Sequence, residues 1–118
     1  MAEYGLFVGW GSSRVGREAA AAKLFQESVA YWDGLKTSGE IESVEMVLLG
    51  AHGGDLGGFF LLRGDPEKLG RLSMSPEFER LIMRAGVCLD GVGVVQAVVD
   101  AGVMRSMAGW QEAIADLI

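Results

Sequence analysis

At 118 residues, half of them hydrophobic and 22% charged, the chain fits a single folded domain and excludes a disordered one. A net charge of −6 argues against the clustered basic surface that a nucleic-acid backbone or an anionic membrane requires. Cys88 is the only cysteine, so no intrachain disulfide can form, and an unstapled small domain favours a reducing cytoplasm.

Met1-Ala2-Glu3-Tyr4 shows no basic-then-apolar leader pattern, and runs such as Phe59–Leu62 fall far below the roughly 18 residues a bilayer span needs. The expectation is a cytoplasmic protein of one domain, residues 1–118. Leu6–Trp10 is a short apolar run ending in Gly11-Ser12-Ser13 and predicts a first strand. A long helix follows from about Gly16 to Ser38. Its apolar stripe comprises Ala21, Leu24, Phe25, Ser28, Tyr31 or Trp32, and Leu35. Ser12 or Ser13 can cap its start, and Gly39 suits a left-handed helix end.

Val44–Leu49 and Phe59–Leu62 predict two strands joined by a hairpin over the glycine-rich stretch Gly50–Gly58. Asp65-Pro66-Glu67 is a helix start: a capping side chain, a proline at the first helical position and an acid at the positive dipole end. Ser75-Pro76-Glu77 repeats that signal, so the helix restarts or kinks before Phe78, Leu81, Ile82 and Ala85. Val92–Val99, rich in β-branched valine, predicts the last strand. Val103, Met107, Trp110, Ile114 and Leu117 then fall on one stripe of a terminal helix.

The order β-α-β-β-α-β-α predicts an α+β domain: a ferredoxin-like βαββαβ antiparallel sheet with two helices on one face and a C-terminal helix added. Two helices cover only one sheet face, yet both faces look apolar. On the last strand Val95, Ala97 and Val99 oppose Val92, Val94 and Val98; on the third, Phe59 and Leu61 oppose Phe60 and Leu62. Four strands of about five residues present a bare face of roughly 300 Å². The terminal helix, a second copy, or both must cover it.

This layout resembles the dimeric α+β barrel superfamily, in which two ferredoxin-like units pair their free sheet faces. The segment Gly57-Gly58-Phe59-Phe60-Leu61-Leu62-Arg63-Gly64-Asp65, followed by Ser75-Pro76-Glu77-Phe78, is similar to the third strand and second helix of small, uncharacterised bacterial members. The resemblance implies a homodimer or higher homo-oligomer. It spans cofactor-free oxygenases, YCII-like proteins and stress-response proteins, so fold alone does not fix function. The His–Asp pair associated with YCII-like proteins has no counterpart near the first strand here.

Gly11-Ser12-Ser13-Arg14-Val15-Gly16-Arg17-Glu18 superficially follows the phosphate-loop spacing. Arg17 and Glu18 stand where that loop needs Lys and a Ser/Thr hydroxyl, and a carboxylate facing phosphate is repulsive. Nucleotide binding is not expected. His52, the only histidine, lies three residues from Asp55. The two could form a general base or half a metal site, or His52 could be a solvated side chain of a glycine loop. No second His or Cys stands at ligand spacing, so neither metal nor organic cofactor is expected. Cys88, between Val87 and Leu89, suits a buried, inert thiol.

Glu45 and Gln96 each interrupt an apolar strand and suit either a ligand-facing lumen or a solvated sheet edge. If Val47 faces Leu61 and Leu49 faces Phe59, Glu45 lies opposite Arg63, whose planar fork suits an anionic ligand. Trp10, Trp32 and Trp110 fit core or interface packing. Glu45, Arg63, Gln96 and Trp10 are therefore the ligand-binding candidates, and His52 and Asp55 the catalytic ones. Two functions remain. One is a homodimer enclosing a small apolar pocket between paired sheets, for binding or for cofactor-independent chemistry. The other is a structural or interaction module.

Overall fold

Local chemistry sets the helix boundaries of the computed structural model, which describes residues 2–118. Strand β1 (Tyr4–Trp10) leads through a seven-residue turn into helix α1 (Glu18–Ser38). Gly39 ends α1 at φ 82°, a conformation that favours a residue without Cβ. The Gly39 and Glu40 amides donate to the Lys36 and Leu35 carbonyls at 3.2 and 2.9 Å, closing the last turn as a Schellman motif.

Strands β2 (Ser43–Leu48) and β3 (Gly58–Gly64) form the hairpin. Asp65 then caps α2 (Pro66–Ser73), its carboxylate accepting from the Glu67 and Lys68 amides, both at 3.1 Å. Ser75 caps α3 (Pro76–Cys88), accepting from the Phe78 amide at 3.3 Å. Each proline occupies a first-turn position where no amide hydrogen is needed. The repeated start signal thus marks two separate helices. Strand β4 (Gly93–Val98) and helix α4 (Ala101–Ala113) follow, with a short 3₁₀ turn at Ala115–Leu117.

The sheet order is β2-β3-β1-β4, every neighbouring pair antiparallel, which makes the domain ferredoxin-like. Leu6 and Val8 of β1, Phe60 and Leu62 of β3, Trp32 of α1, Leu69 and Leu72 of α2 and Phe78 of α3 form the core. A second cluster, Ala21, Leu24, Ala85 and Cys88, joins α1 to α3, and Cys88 is a buried free thiol within it. No helix among the described residues is long and apolar enough to cross a membrane.

Two local expectations are corrected. Ser12 and Ser13 do not cap α1; Arg17 stands at the capping position and makes no side-chain cap. Ser13 instead bridges Leu89, and the Arg14 amide donates to Cys88 O at 2.8 Å, so that segment is tied to the end of α3. The β2–β3 register pairs Val47 with Phe59 and Glu45 with Leu61, two residues away from the expected alignment. A two-residue shift preserves the faces, because side chains alternate with period two. In the single chain the stripe of the terminal helix is open: Trp110 is 57% exposed.

Candidate ligand cavity and interaction face

The even-numbered residues of β1, Leu6, Val8 and Trp10, face the helices together with Phe60 and Leu62 of β3 and Val94 of β4. Aromatic rings concentrate at one end of this layer. Phe60 has ring-centroid distances of 5.0 Å to Trp10, 5.2 Å to Phe25 and 5.5 Å to Trp32. Between these rings and α3 lies a half-open cavity of about 230 Å³, lined mainly by apolar residues such as Val8, Trp10, Phe25, Phe60, Leu81 and Ile82, with Ser13, Glu18 and Ser28 as its polar members. Apolar cavities of about 150 Å³ already admit benzene.

Two of the lining residues carry buried polar groups. Ser28, 5% exposed, donates its hydroxyl to Leu24 O at 2.8 Å, leaving its own oxygen lone pairs as acceptors. Trp32, 1% exposed, carries an indole Nε1 that finds no partner within the protein. An indole N–H is a donor only, and leaving a buried donor unsatisfied costs about 1–3 kcal/mol. Ser28 stood in the sequence as the one polar member of an apolar helix stripe. That interruption was the available signal for the cavity.

The opposite sheet face carries no helix. Phe7 and Phe59 stack there at 5.1 Å with rings 30° apart. The Phe7 ring lies over Gly9, where a Cβ would come within 2.5 Å of it. Val47, Leu61, Val95 and Ala97 share this side by register, and Val95 is 57% exposed. Rings lying flat over glycine give a smooth apolar pad.

At the pad's margin the Arg63 guanidinium is bound to the Glu45 carboxylate, and its Nε lies 3.8 Å from Asp100. The hydrogen bond to Glu45 raises the Arg63 pKa above its ordinary value, against a smaller opposing effect of burial. Arg63 therefore stays charged. Both acids compete with any external anion for its fork.

The structure separates the other candidates. Gln96 faces Leu6 and so lies on the helix side of the sheet, away from Glu45 and Arg63. It is exposed on β4, an edge strand, which corrects the expectation that it could share a lumen with Glu45. Trp10 is brought to the cavity wall. His52 and Asp55 lie in the hairpin loop, along an open cleft beside Trp10, and make no ion pair within 4.0 Å. The Gly54 amide donates to His52 Nδ1 at 3.1 Å, and Nε2 donates to Leu56 O at 2.8 Å. Both ring nitrogens are thus used to fold their own loop.

The phosphate-loop look-alike is likewise closed. The Gly11 amide donates to Asp90 O at 2.7 Å and the Gly16 amide to Glu18 Oε1 at 2.9 Å. No group of three His, Cys, Asp or Glu among the described residues could hold a metal ion.

No protein-family model and no curated protein matches the chain. Among solved structures, it is similar to a protein of unknown function from Nitrosomonas europaea: 19% identity, TM-score 0.62, over 86% of this chain and 92% of that one. A dimeric ferredoxin-like protein of unknown function from Jannaschia shares 17% identity, with TM-score 0.60 over 81% and 99% of the two chains. A dimeric protein of unknown function with a ferredoxin-like fold from Bacteroides fragilis shares 12%, with TM-score 0.57 over 81% and 96%. These likenesses establish the ferredoxin-like fold and indicate no specific function.

Proposed function

We propose that the chain is a homodimeric binding protein for a small, planar, apolar molecule that carries a hydrogen-bond acceptor. The observation that carries this reading is the aromatic-lined cavity, with Trp32, whose buried indole donor has no partner, among its lining residues. Apolar walls with one or two fixed polar groups are the usual composition of a small-molecule site. The volume suits one or two fused rings. Ligand sits on the helix side of each sheet, so the bare sheet faces are left to pair with each other.

Support for the dimer is the apolar pad of Phe7, Phe59, Leu61 and Val95, which matches the core of a protein interface in composition. Two of the similar structures are described as dimeric.

Titration with benzaldehyde and with toluene tests the site, since the two differ in the carbonyl acceptor. Both should bind saturably, with benzaldehyde favoured by roughly three- to tenfold, the worth of one net hydrogen bond. Trp32→Phe should remove that preference, and Ala21→Leu should fill the cavity and abolish both. Absence of saturable binding, or binding indifferent to Ala21→Leu, would overturn the reading.

A further inference from the structure

Helix α4 is fixed at its base and bare along its length. Its base is held by three contacts. The Val99 amide donates to Glu3 O at 2.8 Å, extending the β1–β4 ladder by one step. Gly102 seats against the same residue so closely that a Cβ would stand 2.4 Å from Glu3 O. Arg105 pairs with the Glu3 carboxylate through both terminal guanidinium nitrogens, Nη1 and Nη2. Asp100 makes the corner at φ 50°, the one positive φ of a non-glycine among the described residues. A helix held this way has a set direction.

Beyond the first turn the helix leaves its own domain. Val103, Met107 and Trp110, at spacings of four and three, are 41%, 48% and 57% exposed. Met104 beside them is 72% exposed. The Cα radius of gyration is 16.1 Å, against about 13–14 Å for a compact chain of this length. An amphipathic helix with nothing under its apolar stripe does not hold itself in water, since helix stability comes mainly from packing that face.

We propose that α4 is an exchanged arm: each copy lays the apolar stripe of its terminal helix on the second copy of the dimer. The proposal rests on the dimer set out above. Position favours this occupant. The corner residue Asp100 reaches Arg63, which lies on the bare sheet face, so the arm springs from the margin of the surface where the second copy sits. Area favours it as well. Two faces of roughly 300 Å² each in flat outline give a contact at or below the roughly 1,200 Å² low end of stable interfaces. A 13-residue helix is about 20 Å long and 10 Å wide. Two such arms, counted with the surface they cover, add roughly 800 Å² and bring the contact into the stable range. A two-fold pairing satisfies both copies with the same contact.

The test uses full-length chain labelled with 5-fluorotryptophan, the Trp110 resonance being assigned with Trp110→Phe. In the dimer that resonance should show little solvent-isotope shift, and dilution to monomer should expose it. Trp110→Glu should weaken dimerisation at least tenfold in sedimentation, while the folded monomer keeps its circular dichroism. Val95→Glu, on the sheet pad, separates the arm from the pad. If Val95→Glu dissociates the dimer but Trp110→Glu leaves its constant unchanged, the arm proposal falls and sheet pairing stands. A chain that is monomeric at every concentration overturns both. A Trp110 resonance equally exposed in dimer and monomer overturns the arm alone.

Discussion

In the β2–β3 ladder Glu45 faces Leu61 and Arg63 faces Ser43, so the carboxylate and the guanidinium meet along the diagonal, on the sheet face that no helix covers. Diagonal neighbours on one face remain within reach of long side chains. In a single chain the Glu45 side chain is 51% exposed, and an exposed pair of this kind is worth under about 1 kcal/mol. Pairing of the sheets would dry it. A double-mutant cycle with Glu45→Ala and Arg63→Ala should therefore give a coupling above about 1.5 kcal/mol in the dimer. In the Val95→Glu background it should fall below about 1 kcal/mol. Equal couplings in the two backgrounds would place the pair outside the interface.

The pair also shows which parts of the molecule were legible in sequence. Face assignment was legible, because period-two alternation survives any even register shift, and Glu45 and Arg63 lie on the expected common face. The register itself was not, because the glycine loop between the strands fixes it through contacts remote in sequence, such as the Gly57 amide donating to Trp10 O. Asp65 and Ser75 were readable as caps because their chemistry is local. Ser12 and Ser13 looked equivalent, but a tertiary bridge to Leu89 draws that segment away from the helix start. Trp10, a candidate ligand contact in the sequence, lies along the cavity, and Ser28 was visible as a break in a stripe. That Trp32 would lie buried with no partner for its indole depends on three elements meeting and has no sequence signature.

Gly102 offers a test of how α4 is seated. A methyl group there would meet the Glu3 backbone, which has little freedom because Glu3 O also accepts from Val99. Gly102→Ala should cost about 1–3 kcal/mol in denaturant unfolding, as overpacking at an unyielding contact does. Stabilisation, as expected for Gly→Ala in a free exposed helix, would show that the first turn of α4 is not held against Glu3.

Tyr31 supplies a pH dependence. Burial raises its pKa above 10.0; a hydrogen bond with Ser75 lowers it, and the charge of Glu77 raises it. A group whose folded-state pKa is raised contributes stability that is complete below the unfolded value and is lost as pH rises through the folded one. Wild type should therefore lose more stability than Tyr31→Phe above about pH 10, with the difference between them constant below it. Parallel alkaline curves for the two proteins would remove Tyr31 from the account.

The most direct measurement is a crystal structure of the protein soaked with benzaldehyde. A two-fold dimer is expected, with bare sheet faces paired and the aldehyde in the cavity between α1, α3 and the sheet. Its oxygen should lie within about 3.2 Å of Trp32 Nε1. Ligand density confined to the space between the two sheets, or a helix-side cavity closed by its own side chains, would contradict it.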